Sequence, residues 1–219
     1  MLFGALLIAH IAVLGYWLGS ELVINSTYRY VSFSADMPFA ERDRLMAHVM
    51  DVDQHVRYAL ILQAGLGTAL AALLGYLPGG TALAVGAGIA AAAWLTLTEI
   101  THRRRTSPSG QSLARIDHAI RYVAIVGLLV LCAAAFAGYV AMPGWLTWKL
   151  LLFAGVIACG VGIRWQLIGF FVIWRFIADT GPNPGLERDI RRTYVKATSI
   201  LGVLWLLIAG IVALSIVHP

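Results

Sequence analysis

Ala197-Thr-Ser-Ile-Leu-Gly-Val-Leu-Trp-Leu-Leu-Ile-Ala-Gly-Ile-Val-Ala-Leu-Ser-Ile-Val217 runs for 21 residues without a charged side chain. A helix rises about 1.5 Å per residue and needs roughly 20 apolar residues to cross the hydrocarbon core of a bilayer. This run therefore reads as a membrane span. Five comparable stretches precede it, at approximately 2–24, 55–77, 80–100, 117–141 and 146–174. Together they predict an all-α, polytopic membrane bundle of about six transmembrane helices, forming a single transmembrane domain with loops between.

Composition says the same. Of 219 residues, 60% are hydrophobic and 12% charged, with a mean hydropathy of +0.80. Soluble domains carry about 25% charged residues, so this chain has too little charge to cover a water-facing surface. A soluble enzyme, a nucleic-acid-binding domain and a disordered chain are excluded, despite the formal charge of +5 and a pI near 9.5. The expected surroundings are the lipid bilayer, with no nucleic acid as partner. No Lys or Arg precedes the first span and no cleavage pattern follows it, so it is read as a retained span rather than a signal peptide. Cys132 and Cys159 both fall inside spans and are expected to pack as small apolar groups without forming a disulfide.

The charges set an expected orientation. Of the 16 Lys and Arg residues, all but Lys149 and Arg164 lie in or beside three segments: Arg29 to Arg57, Arg103 to Arg121 (with Arg105) and Arg175 to Lys196. The connections near 77–80 and 142–145 carry none. Short basic loops stay cytoplasmic, so both termini are expected outside a bacterial-type inner membrane. All 11 acidic residues lie toward the basic side as well. On that side, residues 39–54 read as an amphipathic segment feeding the second span, with Leu45, Met46, Val49, Val52 and Val56 along one face. Thr180-Gly-Pro-Asn-Pro-Gly185 reads as a turn before the last helix.

A short repeat stands out. Val52-Asp-Gln-His-Val-Arg-Tyr58 and Ile116-Asp-His-Ala-Ile-Arg-Tyr122 each place Asp four residues before Arg. On a helix that spacing allows pairing. The two copies read either as salt bridges where helices begin or as a duplicated binding site.

His10 is the most informative single residue: an ionisable group at mid-depth of a span reads either as functional with a partner or as a neutral imidazole bonded to a backbone carbonyl across the bundle. Neutral imidazole also ligates haem iron and metals. Lys149 lies near the uncharged end of the fifth span, either snorkelling to the interface or turned inward to attract a carboxylate or porphyrin propionate. His48, Asp51 and His55 share a helical face, and Glu99 with His102 repeats a Glu-x-x-His spacing. With His118 they make a candidate divalent-metal cluster. The competing reading pairs Glu99 with Arg103 at i+4 and treats the others as polar helix ends. Cys-x-x-Cys, a phosphate loop, Gly-x-Ser-x-Gly and outward Met pairs, the soft ligands that Cu(I) favours, are absent.

His10-Ile-Ala-Val-Leu-Gly-Tyr-Trp17-Leu-Gly19 resembles the first helix of HemJ-type protoporphyrinogen oxidases and the related CopD-like copper-resistance membrane proteins, in which a His is followed seven residues later by Trp and then by Gly. Trp148-Lys149-Leu-Leu-Leu-Phe153 is similar to their later helix start, and Leu186 to Tyr194 to the close of the CopD-like relatives. The resemblance implies a membrane oxidoreductase acting on a tetrapyrrole, with heme b as cofactor and His10 as its ligand. It further implies Lys149 as a functional lysine; with Trp17 packed against the ring as a second catalytic-site residue, the leading hypothesis adds a quinone as electron acceptor and a homo-oligomer. The alternatives are a copper or other divalent-metal transport module and a non-catalytic assembly subunit.

Overall fold

The computed structural model describes residues 2–104 and 107–217, with Gln111 described by its backbone alone. Arg105 of the second basic segment lies outside the described residues. Every regular element among the described residues is α-helical: α1 (Leu2–Phe33), α2 (Phe39–Leu73), α3 (Gly80–Arg103), α4 (Pro108–Phe136), α5 (Gly144–Thr180) and α6 (Pro184–Val217). All six are long and apolar enough to cross a membrane, so the chain is a multi-pass, all-α membrane protein whose apolar helices meet lipid.

The helices and the apolar stretches do not share their ends. The stretches 55–77 and 117–141 run past two stops. Gly75 takes φ 75° while the Tyr76 N–H bonds the Ala71 carbonyl at 2.9 Å. Gly138 takes φ 81° while the Tyr139 N–H bonds the Ala134 carbonyl at 2.9 Å. Glycine adopts this left-handed cap without steric cost, and apolar side chains beyond it hide the stop from a hydropathy reading. Elsewhere the helices outrun the apolar stretch. Pro108 opens α4 behind Ser107, whose Oγ accepts the Gly110 N–H at 3.1 Å, and Pro184 opens α6 behind Asn183, whose Oδ1 accepts the Leu186 N–H at 3.0 Å. The 32 to 37 residues of α1, α2, α5 and α6 make helices about 48–55 Å long. The hydrocarbon core is only about 30 Å thick.

The chain divides into two compact units, Met1–Glu21 with Val52–Thr147 and Leu22–Asp51 with Trp148–Pro219. In the first, α2 and α3 approach through small residues: a Cβ added to Gly65 would stand 2.7 Å from the Ala91 Cβ. Close approach of this kind is what drives helix association in lipid. Cys132 is buried with its Sγ 3.5 Å from the Thr147 carbonyl, and both cysteines are free, as the sequence suggested.

In the second unit an aromatic core joins the later half of α1, the first turns of α2, the end of α5 and the start of α6. Tyr28 meets Phe170 and Tyr194 edge-on at 5.0 and 5.1 Å, and Phe170 stacks on Trp174 at 5.1 Å. Met46 and Val49 of the expected amphipathic face are buried among them. Arg42, 1% exposed, crosses this core to Glu187 with a two-pronged ion pair of 2.7 and 2.9 Å, donates from Nε to the Val31 carbonyl at 3.2 Å, and lies over Trp174 at 5.1 Å. The Trp174 indole in turn donates to Asp43 at 2.8 Å. A buried charge stripped of its partner costs about 3–5 kcal/mol, whereas replacing both partners by apolar groups is close to neutral. Glu187→Ala should therefore destabilise the protein by about 3–5 kcal/mol in mixed-micelle unfolding. The double variant Arg42→Met/Glu187→Leu should recover most of that loss.

Candidate functional site

Three of the polar residues on α1 share one face. His10, Trp17 and Glu21 follow the i, i+7, i+11 spacing of a single helical stripe. Within the first unit this stripe meets α2. The Gln63 amide donates to the His10 backbone carbonyl at 2.9 Å. The His10 ring lies against Gly67, where an added Cβ would stand 3.3 Å from Cε1. Trp17 is buried and donates from its indole to Glu21 Oε1 at 3.3 Å. Glu21, 6% exposed, is within electrostatic reach of Asp53. Beside it, the Tyr16 hydroxyl and His55 Nδ1 are hydrogen-bonded, their rings edge-to-face at 5.8 Å. The partners run in opposite order along the two helices, as an antiparallel pair requires.

At the Glu21 end the seam meets a wider polar belt. Both copies of the Asp-x-x-x-Arg repeat form their ion pairs: Arg57 Nε to Asp53 at 2.9 Å and Arg121 Nε to Asp117 at 3.2 Å. They form as local i, i+4 bridges, but inside α2 and α4, which begin at Phe39 and Pro108, rather than at their starts. Asp117 is 3% exposed and accepts from the Trp94 indole at 2.9 Å and the Thr98 hydroxyl at 3.4 Å. Arg121 lies over the Trp94 ring at 5.9 Å. Gln54 reaches the Thr98 carbonyl at 3.3 Å, and Tyr58 donates to Glu99, which also pairs with Arg103 at 2.5 Å. Gln54, Gln63, Trp94 and Thr98 were not singled out from the sequence. Their signal was there, since Gln63 interrupts the apolar stretch after Tyr58 and Trp94 with Thr98 stands at i, i+4 on α3.

The six residues read as a metal cluster are not gathered. Among the described residues no group of three His, Cys, Asp or Glu side chains is placed to hold an ion. His48 and Asp51 are exposed, His55 is bonded to Tyr16, and Glu99 takes the Tyr58 and Arg103 bonds. His118 Nδ1 sits 2.7 Å from the Ala114 carbonyl, and His102 is half-buried on the last turn of α3. A shared helical face aligns donors but does not bring a second helix to them.

In the second unit Lys149 turns inward rather than snorkelling. Its ammonium donates to Ser215 Oγ at 2.8 Å, and that hydroxyl donates to the Ile211 carbonyl at 2.8 Å. An apolar groove lined by Trp148, Leu152, Gly210 and Leu214 lies alongside. Comparison with protein-family models, curated proteins and solved structures finds no match to this chain.

Asp117 serves three donors, so Asp117→Ala strands a guanidinium and an indole N–H at once. We expect it to cost about 3–5 kcal/mol in mixed-micelle unfolding. Asp53→Ala should cost less than half as much, because the Asp53 side chain is already 23% exposed and Arg57 keeps Asp117 within reach.

Proposed function

We propose that the protein is an integral membrane redox protein that takes a haem or porphyrin at His10, as the resemblance to the HemJ-type and CopD-like proteins implies. The observation that carries this reading is the place of His10: half-buried, eight residues into α1, on the stripe that holds Trp17 and Glu21, with a glycine opposite its ring. A haem site needs an imidazole with space beside it. His10 supplies the imidazole, and Gly67, having no Cβ, is what lets that ring pack against α2; a b-type haem ligated through this histidine would require the ring to turn out of the seam. His55 stands eight residues along α2 from Gln63, about 12 Å, and is taken by Tyr16.

A bound haem supplies one-electron chemistry at its iron. The chain's own residues do the rest. Gln63 ties the backbone at His10 to α2. Trp17, seven residues or about 10 Å along the same stripe, would pack against the ring system. Within the second unit Lys149, held by Ser215, is the residue that the resemblance assigns to an anionic group of a substrate, and a quinone would be the electron acceptor. The basic connections face the cytoplasm of a bacterial-type inner membrane, and the chain assembles with further copies of itself.

One second reading has observations behind it. Gln63 bonds the His10 backbone, and Lys149 bonds Ser215, so both polar groups join neighbouring helices, as they would in a non-catalytic assembly subunit. Absorption spectra of protein purified from haem-replete cells, oxidised and dithionite-reduced, separate the two. The redox reading expects a Soret band in the natural chain that His10→Ala abolishes. A featureless spectrum, with His10→Ala lowering only thermal stability, would leave the assembly reading.

A further inference from the structure

The start of α6 has two unlike faces. One is buried: Glu187, Ile190, Tyr194, Ala197 and Leu201 pack into the second unit, with Glu187 locked to Arg42. The other carries Arg188, Arg191, Arg192 and Lys196, all exposed and spaced i, i+3, i+4 and i+8 along one side. Arg191 lies over the Phe33 ring at 5.9 Å. Among the described residues none of the four meets a carboxylate, and Asp189 on the same turns is exposed and makes no ion pair. Arg188 with Arg192, and Arg192 with Lys196, are like-charge pairs at i, i+4, a spacing that destabilises a helix standing in water. An anion lying along the face removes that repulsion.

The level of the patch identifies the anion. The uncharged run 197–217 is 21 residues long and fills about 31 Å, the thickness of the hydrocarbon core. Lys196 is thus the first residue outside the hydrocarbon. Arg192 and Arg191 lie about 6 and 7.5 Å beyond Lys196, and Arg188 about 12 Å. The headgroup layer is roughly 5–8 Å deep, so Lys196, Arg192 and Arg191 lie within it and Arg188 at its outer edge. The buried face fixes the rotation of α6, so the four cations are held in register rather than gathered on binding.

We propose that this face of α6 is a binding site for the headgroups of anionic phospholipids in the leaflet it meets. Lys196 and Arg192 stand at the level of the phosphodiester, with Arg191 and Arg188 above them. Each basic residue at a membrane surface contributes about 1 kcal/mol toward anionic lipid, roughly a fivefold change in association apiece. The site is independent of the haem reading, since it uses none of the residues on the α1–α2 seam.

The test is electron paramagnetic resonance on the full chain in phosphatidylcholine bilayers, comparing immobilisation of spin-labelled phosphatidylglycerol with that of spin-labelled phosphatidylcholine. The natural chain should hold phosphatidylglycerol several-fold in preference, less so as salt rises. Arg188→Gln/Arg191→Gln/Arg192→Gln/Lys196→Gln should abolish the preference, and Arg188→Lys/Arg191→Lys/Arg192→Lys should keep it. If the quadruple variant fails to fold, Arg192→Gln and Lys196→Gln singly should each lower the preference, and the two together should lower it further. Three results would overturn the proposal: no preference in the natural chain, an equal loss on Arg103→Gln/Arg104→Gln (which would mean a diffuse field), or full displacement by inorganic phosphate.

Discussion

No water stands in the hydrocarbon of a bilayer, and most of this molecule follows from that one constraint. Each backbone N–H and C=O must be satisfied within its own segment, so the chain crosses as helices. Each ionisable side chain must end at the boundary or bring its partner with it. Both solutions are used. In every helix the acidic residues lie toward the end that joins 34–38, 104–107 or 181–183. Asp53 and Asp117 are each neutralised by an Arg four residues on within the same helix, whereas the buried Glu21 is met by the Trp17 indole on its own helix. A local partner needs no second helix to arrive, so pairs of this kind are safe to insert.

The second unit is governed by different energetics. Its helices are longer than the hydrocarbon is thick, and their additional turns bury an aromatic core with a charged pair through its middle. A buried ion pair is weak evidence of stability, because desolvation offsets much of the attraction. Arg42 and Glu187 reduce that offset by geometry: two parallel bonds between guanidinium and carboxylate, a third to the Val31 carbonyl and an indole face beneath. The pair joins α2 to α6 in one register only, and that register fixes which face of α6 is left outside.

The helix count, the i+4 ion pairs and the free cysteines were legible in the sequence because each depends on contacts within a few residues. The helix ends at Leu73 and Phe136 were less so, since a left-handed glycine stops a helix without altering the hydropathy around it. The Arg42–Glu187 pair, 145 residues apart in the chain, was not legible at all. Both residues read as ordinary cytoplasmic charges until packing placed them together. His48, Asp51 and His55 show the converse: their spacing aligned them on a helix but said nothing of what stands opposite. For His10 the sequence marked the residue, and the structure added the glycine and the glutamine beside it.

The central claim is that charge and lipid-facing length are divided along each helix, with the additional turns of the second unit standing outside the hydrocarbon. Single cysteines in a Cys132→Ser/Cys159→Ser background, reacted with a membrane-impermeant maleimide in sealed vesicles of both orientations, test it directly. Cysteines at Tyr30 and Val195 should react in one orientation only, and the same one for both, while cysteines at Ile8 and Ile89 should react in neither. Labelling at Ile8 or Ile89, or protection of Tyr30 and Val195 in both orientations, would contradict the account.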